Sequence, residues 1–213
     1  MRCSSNIQFD QGISGGGPYA LACAVSILPD RLKSVAIVCG LGPPDIGMNG
    51  MSWTNWLGFA VGYRYFPGLV RWWFGRDSAT QLNLSDEKRL ELLQLQFSKS
   101  KPHPKDVEVL RDGKEFRLYL RSAREAFAQG FDGFLQDGRL VSMDFGFRVE
   151  DVRPDLPVQL WYGKHDTNVP ISHGQQIALR LGTKAHLRVE DETHSSLVVN
   201  WREQILEDLV RSL

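Results

Sequence analysis

The run Ser34-Val35-Ala36-Ile37-Val38-Cys39 limits the possible folds more than any other part of the sequence. A short β-branched stretch without polar alternation cannot leave one face in water, so it requires a strand covered on both sides, as in a parallel sheet with helices above and below. Gly40, Gly42 and the pair Pro43-Pro44 close the run. Strand-forming sequence returns at Val158-Gln159-Leu160-Trp161-Tyr162, ended by Gly163, and at Ala185-His186-Leu187-Arg188-Val189. The intervening "ISHGQQIALRLG" has helical spacing and a closing Gly182, and the amphipathic "WREQILEDLVRSL" ends the chain on a helix. Strands alternating with helices predict an α/β protein with a short parallel sheet flanked by helices.

Residues 18–28, "PYALACAVSIL", read as a helix with proline in its first turn, stopped by Pro29-Asp30. Residues 45–150 differ in character. Tryptophans and phenylalanines cluster first, followed by amphipathic stretches such as "SDEKRLELLQLQFSK", in which Ser85 and Asp86 cap a helix with Leu90, Leu92, Leu93 and Leu95 on its apolar face. The expected organisation is a core piece over residues 1–44, a mostly helical insertion over 45–150, and a second core piece over 151–213. The insertion is expected above the carboxyl ends of the strands, where such sheets bind ligands.

The 25 basic and 25 acidic side chains cancel and form no long block, which argues against nucleic acid as a partner and favours a small molecule or protein. Three cysteines, Cys3, Cys23 and Cys39, are an odd number without metal-ligand spacing, and no histidine–carboxylate cluster points to a metal. The N-terminal "MRCSSNIQFDQ" has no apolar signal core, so a reducing, cytoplasmic compartment is expected. Residues 46–63 are uncharged, but Asn49, Ser52, Thr54 and Asn55 dilute them and Arg64 and Arg71 follow. Helices that bury one face within the protein fit better than a membrane partner. Most of the aromatic cluster is therefore expected in helix packing, with Trp53, Trp56 and Phe59 as candidates to line an apolar substrate pocket.

The chemistry is concentrated in Gly12-Ile13-Ser14-Gly15-Gly16-Gly17-Pro18. A serine on a tight turn between strand and helix has its hydroxyl pushed outward; Gly12 and Gly16 are expected to remove clashing side chains, and the helix start directs free N–H groups at developing negative charge. A serine needs a base, and the base needs a carboxylate to orient it. Asp166 in "WYGKHDTNVP" follows one predicted strand and His194 in "RVEDETHSSL" follows the last, each on a carboxyl-end loop. His103, His165, His173 and His186 have no such placement, and Asp191 and Glu192 read as a solvated loop. The glycine cluster lacks the first Gly-x-Gly step of a dinucleotide loop, so no cofactor is expected.

With Ser14, Asp166 and His194 in this order, the chain resembles the α/β-hydrolase superfamily from its nucleophile elbow to its C-terminus. "GISGGGPYALACA" is similar to the elbow and its helix, "SVAIVCGLGPPD" to the next strand, and "VQLWYGKHDTNVP" and "VEDETHSSL" to the acid and base loops, with residues 45–150 in the place of the cap. The resemblance implies a serine hydrolase acting on an apolar ester or related acyl substrate, with Gly15 N–H as one oxyanion donor and no cofactor. Serine at the elbow argues against the aspartate-bearing epoxide hydrolases and dehalogenases. The resemblance also implies strands and a second oxyanion loop before the elbow, and the segment "SSNIQFDQ" is polar where a buried strand would stand. The expectation is a hydrolase truncated before its elbow, with an exposed sheet edge open to self-association. A non-catalytic remnant or interaction protein is the alternative.

Overall fold

The computed structural model describes residues 9–111 and 113–211, so Cys3 lies outside the described residues. The chain divides into two compact units, one of residues 1–52 with 143–213 and the other of residues 53–142. In the first unit the elements run β1 (Phe9–Ile13), α1 (Gly17–Ser26) and β2 (Ser34–Val38). The second unit holds α2 (Trp53–Leu57), α3 (Tyr63–Tyr65), α4 (Pro67–Phe74), α5 (Asp86–Lys99), α6 (Pro104–Leu110), α7 (Lys114–Ala126) and α8 (Asp132–Val141). The first unit resumes with β3 (Val158–Gly163), α9 (Ile171–Leu181), β4 (Ala185–Glu190) and α10 (His194–Arg211).

The four strands form one parallel sheet in the order β1-β2-β3-β4. Every residue of β2 and β3 is buried, which is what an uninterrupted apolar run requires. Successive strand side chains point to opposite faces. Trp161 faces α10, where it joins Ala36, Val38, Leu197, Ile205 and Leu209 in one apolar cluster, while Tyr162 faces α9 and packs against Gly174. Residues 197, 201, 205 and 209 recur every fourth position, the stripe by which α10 covers the sheet. Arg188 on β4 lies 4.2 Å above the Trp161 ring and pairs with Asp208 at 3.1 Å, closing this layer at its rim.

Among the described residues β1 bonds to β2 alone, and in it Asp10 and Gln11 are half-exposed while Gly12 is buried. Helix α1 begins at Gly17 and stops at Ser26, two residues short of the predicted end, because Ile27 turns to an extended backbone. α10 starts at His194 and runs on through the amphipathic stretch that begins at Trp201.

In the second unit, α5 and α7 enclose Ala79, Leu90, Phe116, Leu120 and Ala123. Ser85 caps α5 by accepting from Lys88 N at 3.3 Å. Arg89 is fully buried in this unit; it donates to the carbonyls of Ser78, Ala79 and Leu120 and pairs with Asp86, so its charge is spent on backbone groups that the loop at 78–80 exposes. A second core is aromatic, with Phe134 4.8 Å from Phe74, 5.4 Å from Phe127 and 5.8 Å from Tyr63. Phe59 joins it through Tyr63 at 5.5 Å. The expected packing does not extend to most of the cluster, since Trp53, Trp56, Phe66, Trp72 and Trp73 are exposed.

The turn after β1 is built on two glycines, and they differ from the expected pair. A Cβ on Gly12 would lie 2.4 Å from Gly16 O, and one on Gly17 would lie 2.7 Å from Leu41 O, whereas nothing lies within 4 Å of one on Gly16. Gly16 is therefore not needed to relieve a clash. Gly12→Ala should cost about 1–3 kcal/mol by forcing the backbone apart, and Gly16→Ala less than about 1 kcal/mol, measured by urea unfolding.

Candidate active site

Ser14 stands where β1 becomes helix, with φ of 55° in the left-handed region. Only glycine enters this region without cost, so the surrounding structure must hold the serine there against about 1–3 kcal/mol of strain. Two bonds do so, as the Ser14 carbonyl accepts from Leu41 N at 3.0 Å and from Gly17 N. The N–H groups at the start of a helix lack partners within it. Gly15 lies at that start, and no atom lies within 4 Å of the place its Cβ would take.

The neighbouring strand ends in the same way. Ile13 pairs with Val38, so Ser14 and Cys39 are the next residues of the two adjacent strands as they leave the sheet. Cys39 also has a positive φ, 48°, and its buried thiol reaches the His194 carbonyl at 3.9 Å. Burial, and next the charge of Asp166, push that thiol far above its ordinary pKa, so Cys39 stays protonated and un-nucleophilic.

Asp166 and His194 meet directly, with Nδ1 2.7 Å from Oδ2. The Asp166 side chain is fully buried, and its other oxygen accepts from Asn168 N at 2.8 Å and Val169 N at 2.9 Å. Those bonds fold the loop after β3 around the carboxylate and fix its direction. An acceptor at Nδ1 places the ring proton there and leaves Nε2 as the basic nitrogen. Cys39, Asp166 and His194 bring ligand-type atoms within 4.8 Å of one another, a grouping that their sequence spacing gave no sign of. The protonated thiol and the direct Asp166–His194 bond suit it to holding a proton.

The loop carrying His194 is tied to the loop carrying Asp166 by backbone bonds that extend the β3–β4 ladder. Lys164 N donates to Glu190 O and His165 N to Glu192 O, both at 2.9 Å. Gly163 permits the approach, because a Cβ there would lie 2.4 Å from Glu192 O. The expected solvated acids separate here. Asp191 is exposed and pairs with His165 at 2.8 Å, but Glu192 is buried, accepting from Ser196 Oγ at 2.5 Å and Asn200 Nδ2 at 3.1 Å. Thr193 and Ser196 exchange backbone-to-hydroxyl bonds at 2.9 and 3.1 Å, a reciprocal cap that starts α10 at His194.

His173, which the sequence did not mark as a site residue, has only one of its ring nitrogens satisfied. It is buried on α9; its Nδ1 accepts from Gly42 N at 3.1 Å, and its Nε2 has no partner among the described residues. Burial lowers its pKa to about 4, against an opposing pull from Asp166.

Ser14, Asp166 and His194 thus occupy the carboxyl ends of β1, β3 and β4. Trp53, Trp56 and Phe59 belong to the second unit, where the two tryptophans are exposed. A cavity of about 940 Å³ in the first unit is walled by Pro43, Phe145, Phe147 and Arg180 and includes none of the three candidate catalytic residues. No helix among the described residues is long and apolar enough to cross a membrane.

No family model and no curated protein matches the sequence. Solved structures do resemble the fold. An α/β-fold family hydrolase from Bacillus anthracis str. Sterne matches 98% of the chain at 16% identity and a TM-score of 0.56, over 68% of its own length. MGS-M2, an α/β hydrolase from a Medee basin deep-sea metagenome library, matches 97% at 13% identity and a TM-score of 0.55, over 65% of its length. An esterase from Exiguobacterium antarcticum matches 97% at 16% identity and a TM-score of 0.50, over 66% of its length. The chain therefore spans about two thirds of these proteins.

His173 gives a pH dependence of known sign. The unfolded chain takes up its proton near the ordinary value of 6.5, and the folded chain only near 4. The stability due to neutral His173 is complete above that ordinary value and is lost as the pH falls toward about 4, by up to about 3 kcal/mol. His173→Asn, whose amide oxygen can accept from Gly42 N, should remove this part of the slope in urea unfolding followed between these pH values.

Proposed function

We propose that this chain, which has the α/β-hydrolase fold, works as a serine hydrolase on an apolar ester or similar acyl substrate. The 2.7 Å bond between His194 Nδ1 and Asp166 carries the reading, because it leaves His194 Nε2 to accept a proton among the strand ends where Ser14 is mounted. Ser14 Oγ attacks the acyl carbon as Nε2 takes its proton, and the negative charge forming on the carbonyl oxygen is met by Gly15 N–H. Nε2 then protonates the departing alcohol, and water, deprotonated by the same nitrogen, frees the acid from the acyl-enzyme. Asp166 keeps the ring proton on Nδ1 and balances the imidazolium formed in each half. The esterase among the similar structures supports the substrate class.

A second reading, a binding protein without turnover, is favoured by the two apolar side chains that β1 leaves in solvent, Phe9 and Ile13, each more than 40% exposed. One set of measurements separates the two. Hydrolysis of p-nitrophenyl butyrate should fall at least about 1,000-fold in kcat/KM for Ser14→Ala and for His194→Ala, with circular dichroism unchanged. A Ser14→Ala protein as active as the parent would overturn the hydrolase reading. A folded parent inert toward the ester, with a mass by light scattering that rises with concentration, would favour the binding protein.

A further inference from the structure

Two helices of the second unit, α2 and α4, turn their large apolar side chains outward. On α2, Trp53 and Trp56 are 71% and 48% exposed, and on α4, Leu69, Trp72 and Trp73 are 61%, 56% and 57% exposed. Their spacing of three and four residues places each set on one helical stripe, while Val70 on α4 is the residue turned inward. Phe66, just before α4, extends the second stripe and is 56% exposed. Four of the six tryptophans in the chain lie on these two helices.

Within the segment that carries these stripes, residues 46–76, the charges are of one sign. No Asp or Glu occurs between Asp45 and Asp77, whereas Arg64, Arg71 and Arg76 do. Arg71 is paired with Asp132. Arg64 lies 5.2 Å from the Tyr65 ring and Arg76 4.8 Å from the Trp72 ring, so both guanidinium groups stand beside exposed aromatics. Rings with an apolar body and a polar N–H, with arginines alongside, suit the boundary between lipid headgroups and acyl chains. A protein partner's apolar surface would satisfy the rings alone; an anionic surface satisfies the rings and the arginines together.

We propose that the α2–α4 face docks this protein on anionic lipid bilayers, lying in the headgroup boundary without spanning it. The sequence favoured helices that bury one face within the protein over membrane contact by this segment, and the exposure of these side chains is what shifts the reading. Docking there is independent of the hydrolase reading, since the face includes none of Ser14, Asp166 and His194.

Vesicle flotation, read together with tryptophan emission, tests the proposal on the full chain. Vesicles of phosphatidylcholine with phosphatidylserine, mixed at roughly three to one, should carry the protein and shift its emission to the blue, and phosphatidylcholine alone should bind far less. Trp72→Ser with Trp73→Ser should weaken binding at least about tenfold, and Arg64→Gln with Arg76→Gln about fivefold per arginine. Both variants change exposed side chains, and circular dichroism checks that they fold. Ser14→Ala should float like the parent. Absence of flotation, or equal flotation by the tryptophan variant, would overturn the proposal. So would a dimer in light scattering that the tryptophan variant converts to monomer while vesicles bind neither, because a second copy would then cover the face.

Discussion

The structure depends on how closely the ends of β3 and β4 approach. Their ladder continues past the strands through Lys164 and His165, and it can do so because Gly163 leaves the space that any Cβ would take from the Glu192 carbonyl. That approach lets a fully buried carboxylate meet an imidazole at 2.7 Å. Burying the charge of Asp166 would be costly unless its oxygens were bonded, and the two N–H groups of its own turn together with His194 bond both. Burial first, and the charge of the same carboxylate next, hold Cys39 protonated, so the thiol beside the pair is a poor nucleophile.

Strain and support are balanced along this edge of the sheet. Ser14 and Cys39 both have left-handed backbones, and the two turns that contain them lean on each other through Gly17, Gly40 and Leu41. Tyr162 reaches the same place from below, its hydroxyl donating to Gly40 O at 2.6 Å. On the other side of the pair, Glu192, Thr193, Ser196 and Asn200 lock the first turn of α10. His194 is therefore placed by a helix start that is itself held by a buried acid.

Much of this was legible in the sequence because continuous apolar runs can form little other than buried strands, and β2 and β3 formed where those runs lie. The placement of Ser14, Asp166 and His194 at strand ends was legible because each follows a strand in the sequence. What escaped depends on contacts distant in sequence or on exposure. Glu192 looked solvated because its burial rests on Asn200, eight residues away. The unpartnered Nε2 of His173 follows from the packing of α9 against the Gly42 turn, which no local pattern marks. The tryptophan stripes were visible as helical spacing, but spacing says that a helix has one apolar face and nothing of what covers it.

The central claim is that Ser14 is a nucleophile activated by the Asp166–His194 pair, and a fluorophosphonate probe tests it most directly because it forms a covalent bond only with an activated serine. After incubation of the folded protein, peptide mass spectrometry should find the phosphonyl adduct on Ser14, with His194→Ala abolishing it. A folded protein that stays unlabelled at Ser14, or labels equally when His194 is replaced, would contradict the account.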